Sequence, residues 1–262
     1  MNKKKLLGVV LAGLVATQSA SALEKLTVAA TPVPASEVLE FMKPAMEKNG
    51  VDLEVFVFTD YIQPNQQVAD KQVMMNCFQH KPFLDAFNER TGAGLVPVGY
   101  IYVPPMAAYS RKVKDVKDLP DGAVVAIPND PTNSTRALLV LQKAGLIRLK
   151  DPNDLQATAA DVVENPKNLK FHELEAATLP RIVNDVDLAV INTNYALEAN
   201  LNPKTDSLIQ EDEKSPYANL CAVDPQYKDS PLVKKLMQEW HSPATVKFIE
   251  EKYKGTVIPV DL

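Results

Sequence analysis

Apolar positions along the chain follow two alternating rhythms: short β-rich runs, and longer runs with an apolar residue every three or four positions. Lys25 to Ala30 predicts a strand, Ala35 to Lys48 an amphipathic helix, and Val51 to Phe58 a second strand. The pattern then repeats. A short helix is expected over Asn65 to Lys71, a strand over Val73 to Phe78, a proline-opened helix over Pro82 to Arg90 and a strand over Leu95 to Val103. After the stiff Val103-Pro104-Pro105 step the rhythm restarts, with strands at Ala123 to Ile127, Leu169 to Leu174 and Val186 to Ile191. Helices are expected between them at Thr132 to Ala144 and Leu179 to Asn184. Such alternation implies parallel sheets covered by helices.

The stretch from Asn202 to Ser215 is polar and leads into a second proline-marked crossing, Ser215-Pro216-Tyr217, after which Asn219 to Val223 reads as a strand. Two amphipathic helices close the chain, the second with Ser242 as N-cap and Pro243 at its first position. Two crossings return the C-terminal segment to the first lobe, the plan of a hinged clamshell. Residues 23–104 with 217–262 are expected to form one lobe, and residues 105–216 the other.

The N-terminus changes the picture of location. A basic start through Lys3, Lys4 and Lys5, an apolar run from Leu6 to Val15 and the small-x-small pattern Ala20-Ser21-Ala22 read as a secretory signal peptide over 1–22. The apolar run is about half the roughly 20 residues a membrane-spanning helix needs. The only cysteines are Cys77 and Cys221, so no lipid-anchor cysteine is expected and the mature protein should be soluble in a periplasm. Losing the three lysines takes the formal charge from −5 to −8, and no basic block remains, so nucleic acid is not an expected partner. A monomer is expected.

Catalytic patterns are missing: there is no Gly-x-Ser-x-Gly, Walker loop, His-Glu-x-x-His or Cys-x-x-Cys. His80, His172 and His241 are widely separated without metal spacing, and neither a metal site nor a cofactor is expected. The informative segment is Ile127 to Leu139, a strand end, a polar turn and a helix with Arg136 in its first turn. Exposed backbone N–H groups, the positive helix end and a guanidinium able to grip an anion through two parallel hydrogen bonds describe a carboxylate or phosphate site. A capped helix with a surface arginine fits the same residues. Polar and aromatic residues also sit at expected strand ends: Asp60-Tyr61, Phe78-Gln79-His80, Tyr102, Asn192 to Tyr195, and Tyr217 to Asn219 at the return crossing. Strand C-termini are where open α/β sheets bind ligands, and together with Arg136 these residues outline one cleft.

Five ordered blocks carry a resemblance: Phe78-Gln79-His80-x-Pro82-x-Leu84, Ile127 to Leu139, Asp161 to Asn168, Ala189 to Ala196 and Ser215-Pro216-Tyr217-x-Asn219-Leu220. They resemble the NlpA/MetQ family, methionine-binding proteins of ABC importers. The resemblance implies a two-lobed periplasmic binding fold, each lobe a mostly parallel sheet covered by helices, that captures L-methionine and presents it to an inner-membrane permease. It further implies that Arg136 takes the ligand carboxylate, that Asn192 and Asn219 hold the α-amino and carboxylate groups, and that the thioether lies among Tyr61, Phe78, His80 and Tyr102. In such a clamshell the return strand inserts beside the third strand, which would bring Cys77 and Cys221 together as a disulfide. Another small apolar amino acid or a methionine-containing dipeptide is the alternative ligand. A hydrolase or lyase, and a partner-binding protein with an idle cleft, are the alternative classes.

Overall fold

The runs of apolar residues that end in capped helices build two sheets. The structure, a computed structural model, describes residues 22–212 and 215–260; the expected signal peptide lies outside these apart from Ala22. The chain opens with β1 (Glu24–Ala30), α1 (Glu37–Lys48), β2 (Val51–Val57), α2 (Gln63–Ala69), β3 (Met75–His80), α3 (Lys81–Thr91) and β4 (Val96–Val103). Beyond the Pro104-Pro105 step come β5 (Ala107–Tyr109), β6 (Val124–Pro128), α4 (Pro131–Lys143), a ribbon of β7 (Arg148–Leu149) and β8 (Val162–Glu164), and β9 (Lys170–Leu174). β10 (Leu188–Ile191), α5 (Thr193–Glu198) and β11 (Ile209–Gln210) follow. The return leg is β12 (Asn219–Val223), α6 (Pro231–Trp240), α7 (Pro243–Tyr253) and β13 (Ile258–Pro259).

Local chemistry sets the helix starts. Asp130 caps α4 by accepting the Asn133 N–H, with Pro131 at the first helical position. Ser242 does the same for α7 through the Thr245 N–H. At α3 the cap is an imidazole: His80 accepts the Phe83 N–H, and the helix ends on Gly92 at φ 70°, a left-handed conformation that glycine tolerates.

The first sheet runs in the order β13-β4-β12-β3-β1-β2 and the second β11-β5-β10-β6-β9. In the first, β1, β2, β3 and β4 share one direction and the returning β12 is antiparallel to both β3 and β4. In the second, only β5 is reversed. Both sheets are therefore mixed, because a strand entering straight from a crossing has no helix to turn it around. Each has its own core: Leu26, Met42 and Trp240 are buried against the first, Val125, Leu138 and Leu188 against the second.

Three differences from the sequence pattern have local causes. The helix expected over 179–184 is a 3₁₀ run at Ala176–Ile182, where Pro180 lacks an N–H for the α pattern. The start of α1 moves to Glu37, after a wide turn at Pro32–Ser36 that contains two prolines. The strands β5, β11 and β13 are two or three residues long, too short for periodicity to show.

The register of β12 positions the site. Asn219 stands opposite His80 on one side and Tyr102 on the other, so the ends of three strands meet at one edge of the first sheet. Two residues along, Cys221 pairs with Cys77, and the two are disulfide-bonded.

Candidate functional site

A cavity of about 320 Å³ lies where the facing ends of the two sheets meet. Tyr61, Phe78, His80, Arg136, Asn192 and Asn219 line it, joined by Gln79, Phe83, Pro104, Asn133, Thr193 and Asn194. Tyr102 is not among the lining residues. Its ring belongs to the first core, 6.2 Å from that of Trp240 on α6, so of the seven residues expected at the ligand it is the one the structure sets behind the wall. Strand alternation explains this: a strand end names the edge, and only the pleat decides which face a side chain takes.

A chain of amides crosses the site. Asn133 donates through Nδ2 to both carboxylate oxygens of Asp130, at 3.0 Å each, which fixes its Oδ1 as the acceptor end. That oxygen receives Asn192 Nδ2 at 2.8 Å and His80 Nε2 at 3.2 Å. His80 Nδ1 accepts the Phe83 N–H, so the proton sits on Nε2 and the ring is neutral. Burial, reinforced by the positive Arg136, pushes the His80 pKa down to about 3. With its donor spent on Asn133, Asn192 is left with Oδ1 buried and unpartnered among the described residues. Asn219 is turned the other way, donating to the Phe78 carbonyl at 2.7 Å.

Arg136, 1% exposed, is held by Glu211, which the sequence did not single out, and by Pro104 and Tyr217 of the two crossings. Glu211, on the return crossing, accepts from Nε at 3.0 Å and from Nη2 at 2.5 Å. Nη2 also donates to the Pro104 carbonyl at 2.9 Å, on the outward crossing. The Tyr217 ring lies 4.6 Å beneath the guanidinium carbon. Glu211 is itself fixed by accepting the Met106 N–H at 3.0 Å. The parallel grip expected for an external anion is thus occupied by the protein's own carboxylate, and Nη1 is the nitrogen without a hydrogen bond among the described residues. One arginine ties both crossings together.

Aromatic rings form the other wall. Tyr61 packs against Phe78 at 6.0 Å, Phe83 at 5.8 Å and Tyr195 at 4.9 Å. Its hydroxyl donates to Asn194 Oδ1 at 2.5 Å, and Tyr195 donates to the Thr59 carbonyl at 3.1 Å, so both phenols bond across the two halves. Behind Gln79 lies a buried amide cluster. Asn65 and Gln79 exchange hydrogen bonds of 2.7 and 2.6 Å, and Gln79 also donates to Asn76 at 3.0 Å. A polar network with its donors and acceptors matched is stiff, which holds the Gln79 wall in place.

Of the residues sequence reasoning missed, Asn133 had a signal, since an Asp three positions before an Asn at a helix start is a cap pair. Phe83 had a weaker one, one position after the helix-opening Pro82. Glu211 had none, sitting in a polar run without periodicity. Among the described residues no group of His, Cys, Asp or Glu could hold a metal ion, and no helix is long and apolar enough to cross a membrane.

Residues 26–261 match the sequence model of the NlpA lipoprotein family. The chain is 42% identical to the probable D-methionine-binding lipoprotein MetQ of Pasteurella multocida over 238 residues, covering 90% of this chain and 86% of that relative. It is 46% identical to the D-methionine-binding lipoprotein MetQ of Salmonella typhi over 218 residues, 82% of this chain and 80% of that one. A solved structure of a nutrient-binding protein from Burkholderia cenocepacia, bound to methionine, superposes with a TM-score of 0.87 at 46% identity, covering 90% of this chain and all of that one.

Proposed function

We propose, since the chain belongs to the NlpA lipoprotein family, that it captures methionine between its two halves and delivers it to the permease of an ABC importer without chemistry of its own. The observation that carries this reading is one cavity with a guanidinium nitrogen and an unpartnered amide oxygen to offer, and aromatic rings beside them. Arg136 Nη1 takes the α-carboxylate, Asn192 Oδ1 accepts from the α-ammonium, and Asn219 completes the polar end. The thioether lies among Tyr61, Phe78 and His80, with Phe83 beside them. Sulfur against aromatic rings gains roughly 0.3–1.5 kcal/mol per contact, and each buried CH₂ adds about 0.8 kcal/mol.

The lobes, residues 23–104 with 217–262 and residues 105–216, close on the ligand about the two crossings. The protein works in the periplasm as a monomer, and its acidic surface gives nucleic acid no purchase. Its relatives are named lipoproteins. In this chain Cys77 and Cys221 bond to each other.

Differential scanning fluorimetry with the standard amino acids and both enantiomers of methionine tests the reading. Methionine at a hundredfold excess over Kd is expected to stabilise the fold by about 2.7 kcal/mol. A shift with a different amino acid and none with methionine would refute it.

A further inference from the structure

We propose that Glu211 sets the charge selectivity of this site: by neutralising Arg136 it restricts the cavity to ligands that carry a cationic group along with their carboxylate. The inference rests on the amino-acid-binding reading above and goes further, to the class of ligand excluded.

An uncompensated guanidinium removed from water attracts any anion of the right size. Here Arg136 has a side chain 2% exposed, and its bidentate partner Glu211 is 12% exposed, so their charges cancel inside the protein. A second carboxylate, Asp130, holds Asn133, which lines the cavity. Asn133 and Asn192 are aligned in the same sense, each donating toward Asp130, which puts the negative end of the amide chain at Asn192 Oδ1, on a residue that lines the cavity. Arg136, Glu211 and Asp130 together carry one net negative charge. A carboxylate alone enters against that charge. A zwitterion brings an ammonium to the negative end and a carboxylate to Nη1, and its own net charge is zero. Glu211 does not line the cavity, so it acts through Arg136 and through its field.

The test compares two ligands that differ only in the ammonium, methionine and 4-(methylthio)butanoate, by isothermal titration calorimetry on wild type and on Glu211→Gln. Wild type is expected to prefer methionine by at least about a hundredfold. In Glu211→Gln the preference is expected to narrow by roughly tenfold or more, because the anion gains from the unmasked arginine while the zwitterion's two charges feel opposite changes. A residue that merely props Arg136 would weaken both ligands equally, so an unchanged preference in a folded variant overturns the proposal. Should the variant not fold, wild type binding the butanoate as tightly as methionine also overturns it. Wild type that binds no methionine would remove the parent reading, whereas methionine binding with an unchanged preference removes only this one.

Discussion

At Arg136 a buried cation meets a part-buried carboxylate, Glu211, through two hydrogen bonds. Arg136→Ala is expected to abolish methionine binding and to cost about 3–5 kcal/mol of stability, because Glu211 is left charged and unpaired. Replacing both, as Arg136→Met with Glu211→Leu, should restore most of that stability without restoring binding; urea denaturation and calorimetry separate the two effects. His80 offers a pH signature. Its folded pKa is about 3, whereas an unfolded imidazole takes a proton near 6.5. Its contribution is therefore fully present above about pH 6.5 and is lost as pH falls toward 3. Wild type should lose more stability between pH 7 and pH 4.5 than His80→Gln does, measured by urea unfolding; equal losses would show that His80 is protonated in the fold. At this scale the sequence singled out Arg136, His80 and Asn192, which line the cavity, through motif and strand-end position. It grouped Tyr102, which is not a lining residue, with the cleft because a strand end does not specify the face, and it missed Glu211 because an ion-pair partner 75 residues away leaves no local pattern.

Among the elements, α4, the start of α5 and the β3–β12 pair shape the cavity. Asp130 caps α4 and also anchors Asn133, so Asp130→Ala should cost about 1 kcal/mol as a lost cap. Asp130→Asn, which can still cap, should keep most of the stability while weakening methionine binding, since the amide chain loses its carboxylate. Equal affinity in that variant would separate the cap from the site. The disulfide holds β12 in register beside β3, closing a loop with a sequence separation of 144. Removing it as Cys77→Ala with Cys221→Ala is expected to cost about 2–5 kcal/mol, read as a lower denaturation midpoint. The long elements were legible in periodicity and caps. The short strands β5, β11 and β13 were not, because they exist through pairing to neighbours distant in sequence.

For the whole molecule, the two proline-marked crossings were visible in the chain, and they imply two halves. What the pattern could not give is sheet order: β12 lies between β3 and β4 because the returning chain enters there, a choice made by tertiary packing. The consequence is a cavity walled by both halves, with Tyr61–Asn194 and His80–Asn133 hydrogen bonds spanning them. The most direct measurement is calorimetric titration of ligand-stripped, full-length protein with methionine. Saturable one-to-one binding that disappears in the Arg136→Met, Glu211→Leu pair is the predicted result. Folded protein that takes up no methionine, while another amino acid saturates the same cavity, would contradict the account.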